Sequence, residues 1–366
     1  MNPSILSVGS AVPPRKLEQE EVYEFMKSAM PSDKRTTLLL RKVFSRSGVK
    51  TRHSLMGLGD GNGEDIGYSS GNGMPSTEER MSLYREHAPH LGFGAVNDCL
   101  GKMQNFDPAK ITHVITFSCT GMYAPGLDID IVNALGLDPS TERTNIGFMG
   151  CHAAFNALKS AYHIVRSTPG AMVLLAGVEL CSLHYLPGDS FDSVAASAIF
   201  GDGASAALVG AEENGSAAGR KLRVKKFHSG LAPEGKNEMA LTVGNSGISL
   251  RLSDDVPSLV ESGIQKLTSD LLSSCSVNQD DISYYAIHPG GVRILQGCEA
   301  ALGIDREQNR ISYDVLSRYG NMSSVTILFV LKELMDTLRP EDEGKTVFSC
   351  AFGPGLTMES VLFEIA

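Results

Sequence analysis

Three polar residues occur where their chemistry could be combined: Cys151 in NIGFMGCHAAF, His288 in YYAIHPGG and Asn321 in SRYGNMSS. A thiol that opens a helix lies near unpaired backbone N–H groups, whose partial positive charge lowers the pKa of the thiol. An imidazole can accept and return a proton, and an amide can donate hydrogen bonds to a developing oxyanion. The set predicts covalent thiol chemistry with Cys151 as the nucleophile.

Each of these residues also has a purely structural interpretation. Cysteine is often a small buried core residue, and asparagine is favoured at helix N-caps, where Asn321 would begin a long helix. His288 ends an apolar strand and precedes a proline and two glycines, which allow a ligand to approach the backbone. All three residues stand at junctions between strands and helices. Because the three together form a set suited to thiol chemistry, the shared placement favours a catalytic role over three unrelated structural roles.

The elements that must position these residues alternate between strands and helices. Apolar runs predict strands at 111–119, 171–180 and 282–289, a strand pair at 198–210, and two closing strands around the turn in TVFSCAFGPGLTMESVLFEI. Periodic patterns predict helices at 127–136, 152–165, 256–273, 290–302 and 322–337. This alternation is typical of a layered α/β fold. The glycine-rich segment 57–80 reads as a long loop that is either functional or mobile.

Composition excludes several classes of protein. The 366 residues carry a formal net charge of −10, which argues against a partner such as nucleic acid or an anionic membrane surface. No apolar stretch approaches the roughly 20 residues of a membrane span, and the N-terminus lacks a secretory pattern. Seven cysteines without a CxxC pair indicate free thiols, no metal site and a cytoplasmic location. Neither a dinucleotide fingerprint nor a P-loop is present.

Five motifs together resemble the type III polyketide synthases, the chalcone synthase-like branch of the thiolase superfamily. They are GFMGC (147–151), IFGDGA (199–204), HPGG (288–291), GNMSS (320–324) and AFGPGLTMES (351–360), in the family's order. The resemblance implies a five-layered αβαβα thiolase-like fold with two pseudo-duplicated halves, 1–219 with the cysteine and 220–366 with the histidine and asparagine. It also implies a homodimer that extends an acyl-CoA with malonyl-CoA, without an acyl carrier protein or a separate cofactor.

The same resemblance assigns roles to the residues of the site. Cys151 would hold the growing chain, with His288 as the imidazolium partner that keeps the thiolate ionised. His288 and Asn321 would donate hydrogen bonds to the enolate formed by decarboxylation, a role worth roughly 3–4 kcal/mol per donor. Phe200 matches the family phenylalanine that disfavours the malonyl carboxylate.

The resemblance also implies where the CoA moiety would bind. Gly290 and Gly291 would flank the pantetheine arm, and Lys42 and Arg46 would contact the phosphates. The family's third basic position is Leu39 in this chain.

Substitutions relative to the plant enzymes predict the shape of the substrate pocket. Leu250 replaces a gatekeeper phenylalanine, and Leu241 replaces a glycine, which would shrink the polyketide lobe. Thr120, Cys181 and Ala124 are small, and Ala124 stands where plant enzymes carry a methionine that reaches across the dimer. The remaining wall positions implied by the resemblance are Cys119, His184 and Ser323. The pattern is similar to bacterial alkylpyrone and alkylresorcinol synthases, whose tunnel takes a medium or long acyl chain.

Alternatives remain open at the level of sequence. A ketoacyl synthase III-like condensing enzyme shares the Cys, His and Asn set, and hydroxymethylglutaryl-CoA synthase shares the fold but requires a glutamate base. A papain-like hydrolase normally has a tryptophan beside its cysteine, and this chain contains none. A type III synthase could also use malonyl-CoA alone or aromatic starters, and a thiolase-like protein could bind ligands without catalysis.

Overall fold

The computed structural model describes residues 2–29, 34–57, 75–185, 190–212 and 219–366. The strands are β1 Pro3–Ala11, β2 Lys16–Glu18, β3 Thr51–His53, β4 His113–Ser118, β5 Glu142–Gly147, β6 Met172–Leu180, β7 Asp202–Ala211, β8 Leu222–Leu231, β9 Met239–Gly244, β10 Gly247–Leu252, β11 Ile282–Ile287, β12 Thr346–Gly353 and β13 Thr357–Ile365. The helices are α1 Gln19–Ala29, α2 Lys34–Arg46, α3 Thr77–Gly101, α4 Leu127–Leu135, α5 Ala153–Ser167, α6 Phe191–Ile199, α7 Val256–Cys275, α8 Val292–Leu302, α9 Arg310–Tyr319 and α10 Thr326–Thr337.

Nine of these strands form one mixed sheet in the order β11-β12-β13-β8-β1-β7-β6-β4-β5. The sheet has two parts, which meet where β1 pairs with β8 over only two positions, Ser4 with Arg223 and Ile5 with Leu222. In each part a parallel pair is followed by two antiparallel pairings: β4, β6, β7 and β1 on one side, β11, β12, β13 and β8 on the other. The matching order relates the two halves of the fold.

Burial divides the molecule into five layers. One apolar cluster joins α3 and α4 to the first part of the sheet, and another joins α7 and α8 to the second part. A third cluster lies between the two parts and contains α5 and α10. Alternate residues of a strand face different layers: Val173 and Leu175 of β6 face α5, and Leu174 and Ala176 face α3. The layers follow the αβαβα order that the resemblance implies.

Strands between two helical layers must be apolar on both faces. All nine residues of β6, MVLLAGVEL, are buried, as the uninterrupted apolar run predicts. Local signals bound the helices: Ser76 and Glu79 form a capping box at the start of α3, and Gly136 ends α4 in the left-handed conformation. Within the described residues, no helix is both long and apolar enough to cross a membrane.

The structure corrects three expectations about individual elements. Residues 198–210 are not a strand pair, because α6 continues to Ile199 and a single strand, β7, follows. Asn321 is not the N-cap of the long helix, since α10 begins at Thr326 after a 3-10 turn at Ser323–Val325. The segment 57–80 is not loop throughout: α3 starts at Thr77, while residues 58–74 lie outside the described residues.

Candidate active site

Cys151 lies in a 3-10 turn, Gly150–His152, between β5 and the start of α5. The preceding Gly150 has a φ of +77°, and a Cβ at this position would come within 2.2 Å of Cδ of Pro354. Only glycine therefore allows the turn that carries the thiol to lie against the FGPG turn between β12 and β13. This contact explains why two motifs separated by about 200 residues both belong to the site.

His288 follows β11, and its backbone N–H donates to the carbonyl of Cys350 at 2.9 Å. Its side chain is buried, and within the described structure neither ring nitrogen has a hydrogen-bond partner. A buried imidazole with both nitrogens unpaired is costly for folding, and such groups call for an explanation. Here the ring borders a cleft that also reaches Cys151.

Asn321 is held by both its backbone and its side chain. Its N–H donates to the carbonyl of Ile199 at 2.7 Å, and its carbonyl accepts from the N–H of Gly201 at 3.0 Å. The side-chain oxygen Oδ1 accepts from the N–H of Ser323 at 2.9 Å, which identifies that atom as oxygen. Nδ2 is left as the donor, at 3.4 Å from the carbonyl of Gly290, and its residue borders the same cleft as His288.

Two cavities meet at Cys151. The inner cavity has a volume of about 120 Å³, and the outer cleft a volume of about 1060 Å³. Four residues border both spaces: Cys151, Phe200, Met239 and Leu250. The thiol therefore lies where a ligand in the cleft could pass a group to the inner cavity.

The predicted pocket residues divide between these spaces, with one exception. The inner cavity is bordered by Cys119, Thr120, Cys181, His184, Leu241, Leu250 and Ser323, and the outer cleft by Lys42, Arg46, His288, Gly290, Gly291 and Asn321. Ala124 borders neither cavity and is exposed, because the loop before α4 turns it to the surface. Within a single chain, Ala124 is not part of a tunnel wall.

Phe200 borders both cavities and is fixed through its backbone. Its carbonyl accepts from the hydroxyl of Tyr185 at 2.8 Å and from Nη1 of Arg52 at 2.6 Å. Phe200 and Asn321 also form an isolated parallel β-bridge. The backbone of this phenylalanine is thereby linked to that of the proposed amide donor.

The electrostatics of the cysteine and histidine differ from the sequence-based expectation. Burial raises the pKa of Cys151 to about 11, against a smaller lowering by Ser323, whose Oγ lies 3.8 Å from Sγ. Burial lowers the pKa of His288 to about 3, with a further contribution from His152. Among the described contacts no hydrogen bond joins Cys151 to His288. Desolvation thus favours the neutral form of both groups, which opposes an ion pair between them.

His184 differs from His288 because its ring is fully hydrogen-bonded. Nδ1 accepts from the N–H of Ile248 at 3.1 Å, so Nε2 carries the proton and donates to the carbonyl of Thr120 at 2.6 Å. Burial lowers its pKa to about 4. This neutral ring joins β10 to the loop after β4 and shapes the inner cavity without a free nitrogen for proton transfer.

Sequence reasoning missed Glu179, a carboxylate buried at the end of β6. It accepts from the hydroxyl of Thr120 at 2.6 Å, from the N–H of Cys119 at 3.0 Å and from the hydroxyl of Ser324. Burial raises its pKa, and these hydrogen bonds oppose the rise. The sequence did contain a signal for this residue, because Glu179 is charged and lies in an otherwise apolar strand. A carboxylate buried between two layers requires hydrogen-bond donors around it.

The inner cavity also contains residues that no motif indicated. Among them are Met239, Ile248 and Ser249, and α6 adds Asp192, Ser193, Ala196 and Ser197. These residues belong to elements whose contact with the site depends on tertiary packing. Within the described part of the chain, no group of three His, Cys, Asp or Glu residues is placed to hold a metal ion.

Comparison with known families gives two matches that together cover most of the chain. Residues 2–213 match the N-terminal domain of chalcone and stilbene synthases, and residues 224–365 match the C-terminal domain.

Individual relatives agree with these matches. The alpha-pyrone synthesis polyketide synthase-like protein of Mycobacterium tuberculosis is 36% identical over 293 residues, which cover 80% of this chain and 74% of that protein. Type III polyketide synthase 21 of Oryza sativa subsp. japonica is 31% identical over 98% of this chain and 92% of its own length. The crystal structure of PKS-I from the brown alga Ectocarpus siliculosus superposes with a TM-score of 0.90 at 26% identity, covering 100% of this chain and 98% of the other.

Proposed function

Because the chain belongs to the chalcone and stilbene synthase family and is a type III polyketide synthase, we propose that it extends an aliphatic acyl-CoA starter with malonyl-CoA. The products would be alkylpyrones or alkylresorcinols from a medium or long starter, made without a carrier protein. The main structural support is the junction of two cavities at Cys151, with His288 and Asn321 beside the outer one. The 36% identity to an alpha-pyrone synthesis protein supports the class of product.

In the proposed loading step, Sγ of Cys151 attacks the thioester carbonyl of the starter. Because both groups are neutral at rest, the thiol proton passes to His288 as the carbon–sulfur bond forms. The bond to CoA then breaks, and the CoA sulfur takes the proton from His288. The acyl chain remains on Cys151 as a new thioester and extends into the inner cavity.

In the proposed extension step, malonyl-CoA in the outer cleft loses CO₂, and the electron pair of the broken bond forms an enolate. Nδ2 of Asn321 and a ring N–H of His288 donate to the enolate oxygen, where charge develops. Phe200 disfavours the malonyl carboxylate, because an aromatic wall offers it no hydrogen bond. The enolate carbon attacks the acyl-Cys151 carbonyl, the bond from that carbonyl to Sγ breaks, and the chain is now held on CoA as a β-ketoacyl thioester. For the next round the freed thiolate of Cys151 attacks this thioester, and CoA leaves and takes up a proton from solvent.

A homodimer completes the proposal. The strand β5 forms one edge of the nine-stranded sheet, and its residues are exposed or half-buried. Met122 and Met149, near the same edge, are 61% and 41% exposed. An unpaired strand edge beside exposed methionines is suited to pairing with a second copy of the chain. In that arrangement Ala124 would lie near the partner subunit instead of in its own pocket.

The size of the inner cavity favours a second candidate, a synthase that uses a short starter or malonyl-CoA alone. Its volume of about 120 Å³ is below the roughly 150 Å³ of an apolar cavity that binds benzene. A long alkyl tail would need more space than this cavity provides among the described residues. The two candidates share the chemistry at Cys151 and differ in the starter.

A substrate panel tests the proposal and separates the two candidates. Purified protein is incubated with malonyl-CoA and a series of straight acyl-CoA starters, and products are identified by mass spectrometry. We expect pyrones or resorcinols that carry the starter tail, with rates that rise with chain length because each buried methylene contributes about 0.8 kcal/mol. Products from malonyl-CoA alone, at rates unaffected by added starters, would support the second candidate.

The matched control is Cys151→Ala, which should abolish product formation while circular dichroism remains unchanged. Wild-type product levels in that variant would exclude the proposed mechanism.

A further inference from the structure

Arg293 occupies the first turn of α8, directly after Gly290 and Gly291, and borders the outer cleft together with Lys42 and Arg46. The two sides of the cleft are in close contact here: a Cβ on Gly48 would lie 2.3 Å from Cγ2 of Val292. The end of α2, which carries Arg46, is therefore packed against the start of α8. Three cationic side chains from two helices border one cleft that reaches Cys151.

The three cations differ in their partners. Across the described part of the chain, neither Lys42 nor Arg46 has a carboxylate within ion-pair distance. Arg293 has one: Nη1 lies 2.8 Å from Oδ1 of Asp254, and Nη2 lies 3.4 Å from the Asp254 carbonyl. Asp254 also borders the cleft, just before α7.

In the Arg293–Asp254 ion pair, an anionic ligand can readily replace Asp254 as the partner of Arg293. The Arg293 and Asp254 side chains are 61% and 66% exposed, and ion pairs with this exposure contribute little to stability. A guanidinium that pairs with a carboxylate can also donate two parallel hydrogen bonds to a phosphate, which carries a larger negative charge. The first turn of α8 adds backbone N–H groups that favour an anion at the same place.

We propose that Arg293 is a binding residue for the nucleotide phosphates of the CoA thioester, and that Asp254 occupies this guanidinium until the substrate displaces it. The inference rests on the proposed function, because it takes CoA thioesters as the substrates. The proposal gives the cleft a third cation, which α8 contributes instead of α2. The family's third basic position, on α2, is Leu39 in this chain. Asp254 thereby becomes an internal competitor that weakens the binding of CoA.

The test compares two malonyl thioesters, malonyl-CoA and malonyl-N-acetylcysteamine, which has the same reacting group and no phosphate. For Arg293→Ala we expect the KM for malonyl-CoA to rise about tenfold, as for the loss of one charge-assisted hydrogen bond, with kcat unchanged. The KM for the N-acetylcysteamine thioester should not change. For Asp254→Asn we expect the KM for malonyl-CoA to fall, again with no effect on the truncated thioester.

Arg310→Ala is the matched control, since Arg310 is also an exposed arginine paired with a carboxylate, Glu307, and borders neither cavity. An unchanged KM for malonyl-CoA in both Arg293→Ala and Asp254→Asn would overturn the inference, as would equal changes for both thioesters. If the Arg293→Ala protein misfolds, the KM of Asp254→Asn for malonyl-CoA alone tests the inference. Absence of any polyketide from the wild-type protein would instead contradict the proposed function.

Discussion

At the scale of single residues, burial favours the neutral form of the two groups that we propose carry out the chemistry. Desolvation destabilises both a thiolate and an imidazolium, so it raises the pKa of Cys151 to about 11 and lowers that of His288 to about 3. The N-terminus of α5 acts in the opposite direction on the thiol. In the proposed loading step, proton transfer from sulfur to nitrogen therefore accompanies attack on the thioester instead of preceding it.

Asn321 provides a prediction that separates two steps of the reaction. In the proposed mechanism its Nδ2 donates to the enolate, which forms only during decarboxylation. For Asn321→Ala we expect malonyl-CoA decarboxylation to fall roughly 100-fold, as for other lost oxyanion donors, while loading of Cys151 stays close to the wild-type rate. Release of CO₂ and the mass of the acylated protein measure the two steps.

Asn321→Asp is the control for structural damage. It retains the Oδ1 atom that accepts from the N–H of Ser323 and removes the Nδ2 donor. We expect the same loss of decarboxylation as in Asn321→Ala. Normal decarboxylation by the Asp variant, or a loss of loading in both variants, would show that Asn321 is not the donor.

At the scale of elements, the inner cavity is formed by elements from separate parts of the chain. The hairpin of β9 and β10 supplies Leu241, Ile248 and Leu250, and α6 supplies the wall beside Phe200. The fully buried Arg52 holds the C-terminal end of α6 through hydrogen bonds to the carbonyls of Ser197 and Ala198. A cation at a helix C-terminus is favoured by the helix dipole, so Arg52 stabilises the position of this wall.

Leu241 tests whether the hairpin limits chain extension. Leu241→Ala removes side-chain volume at the inner cavity, so we expect products with more malonyl units than the wild type forms from the same starter. Mass spectrometry of the product distribution is the measurement. The control is Val243→Ala on the same strand, a residue that is exposed and borders neither cavity. Identical product distributions for wild type and Leu241→Ala would contradict a size limit at this residue.

At the scale of the whole molecule, the two parts of the sheet place the reactive groups in one region. Cys151 follows β5 in the first part, and His288 follows β11 in the second. The helices α5 and α10 pack in the same central layer, and Cys151 and Asn321 lie just before them in sequence. The proposed catalytic groups thus come from both halves, and the packing between halves is a requirement of the site.

Buried histidines make the stability of this fold dependent on pH. Burial lowers the pKa of His152, His184 and His288 to about 4, 4 and 3, below the ordinary value of 6.5. Below pH 6.5 the unfolded chain therefore binds more protons than the folded chain, and stability falls as the pH decreases. Each histidine contributes a slope of at most about 1.4 kcal/mol per pH unit. The carboxyl group of Asp202 has the opposite effect on stability between about pH 6 and pH 4, because burial raises its pKa to about 6.

His152→Leu isolates one of these contributions. His152 is buried, borders neither cavity, and its Nδ1 has no hydrogen-bond partner in the described structure. We expect the fall in Tm between pH 8 and pH 5 to be smaller in this variant than in the wild type. The exposed His163 on α5 is the control, and His163→Leu should retain the wild-type pH slope. A wild-type slope in His152→Leu would show that this ring does not resist protonation.

Much of the fold and the identity of the reactive groups could be predicted from the sequence. Apolar runs located the strands β4, β6 and β11 to within a few residues, because a strand between helical layers must be apolar on both faces. The five motifs indicated the family, which the domain matches confirm. The small and apolar residues at 198–210 did not distinguish helix from strand, since such a run suits either element.

The sequence by itself determined the family, the residue types available for thiol chemistry and several of the elements after residue 110, because local periodicity and short motifs depend on neighbours along the chain. Only the tertiary structure decided the charges of Cys151 and His288, since desolvation depends on everything packed around a group. It alone placed Ala124 outside the cavities and Arg293 on the same outer cleft as Arg46. These features depend on contacts between distant segments, and such contacts form only when the layers pack.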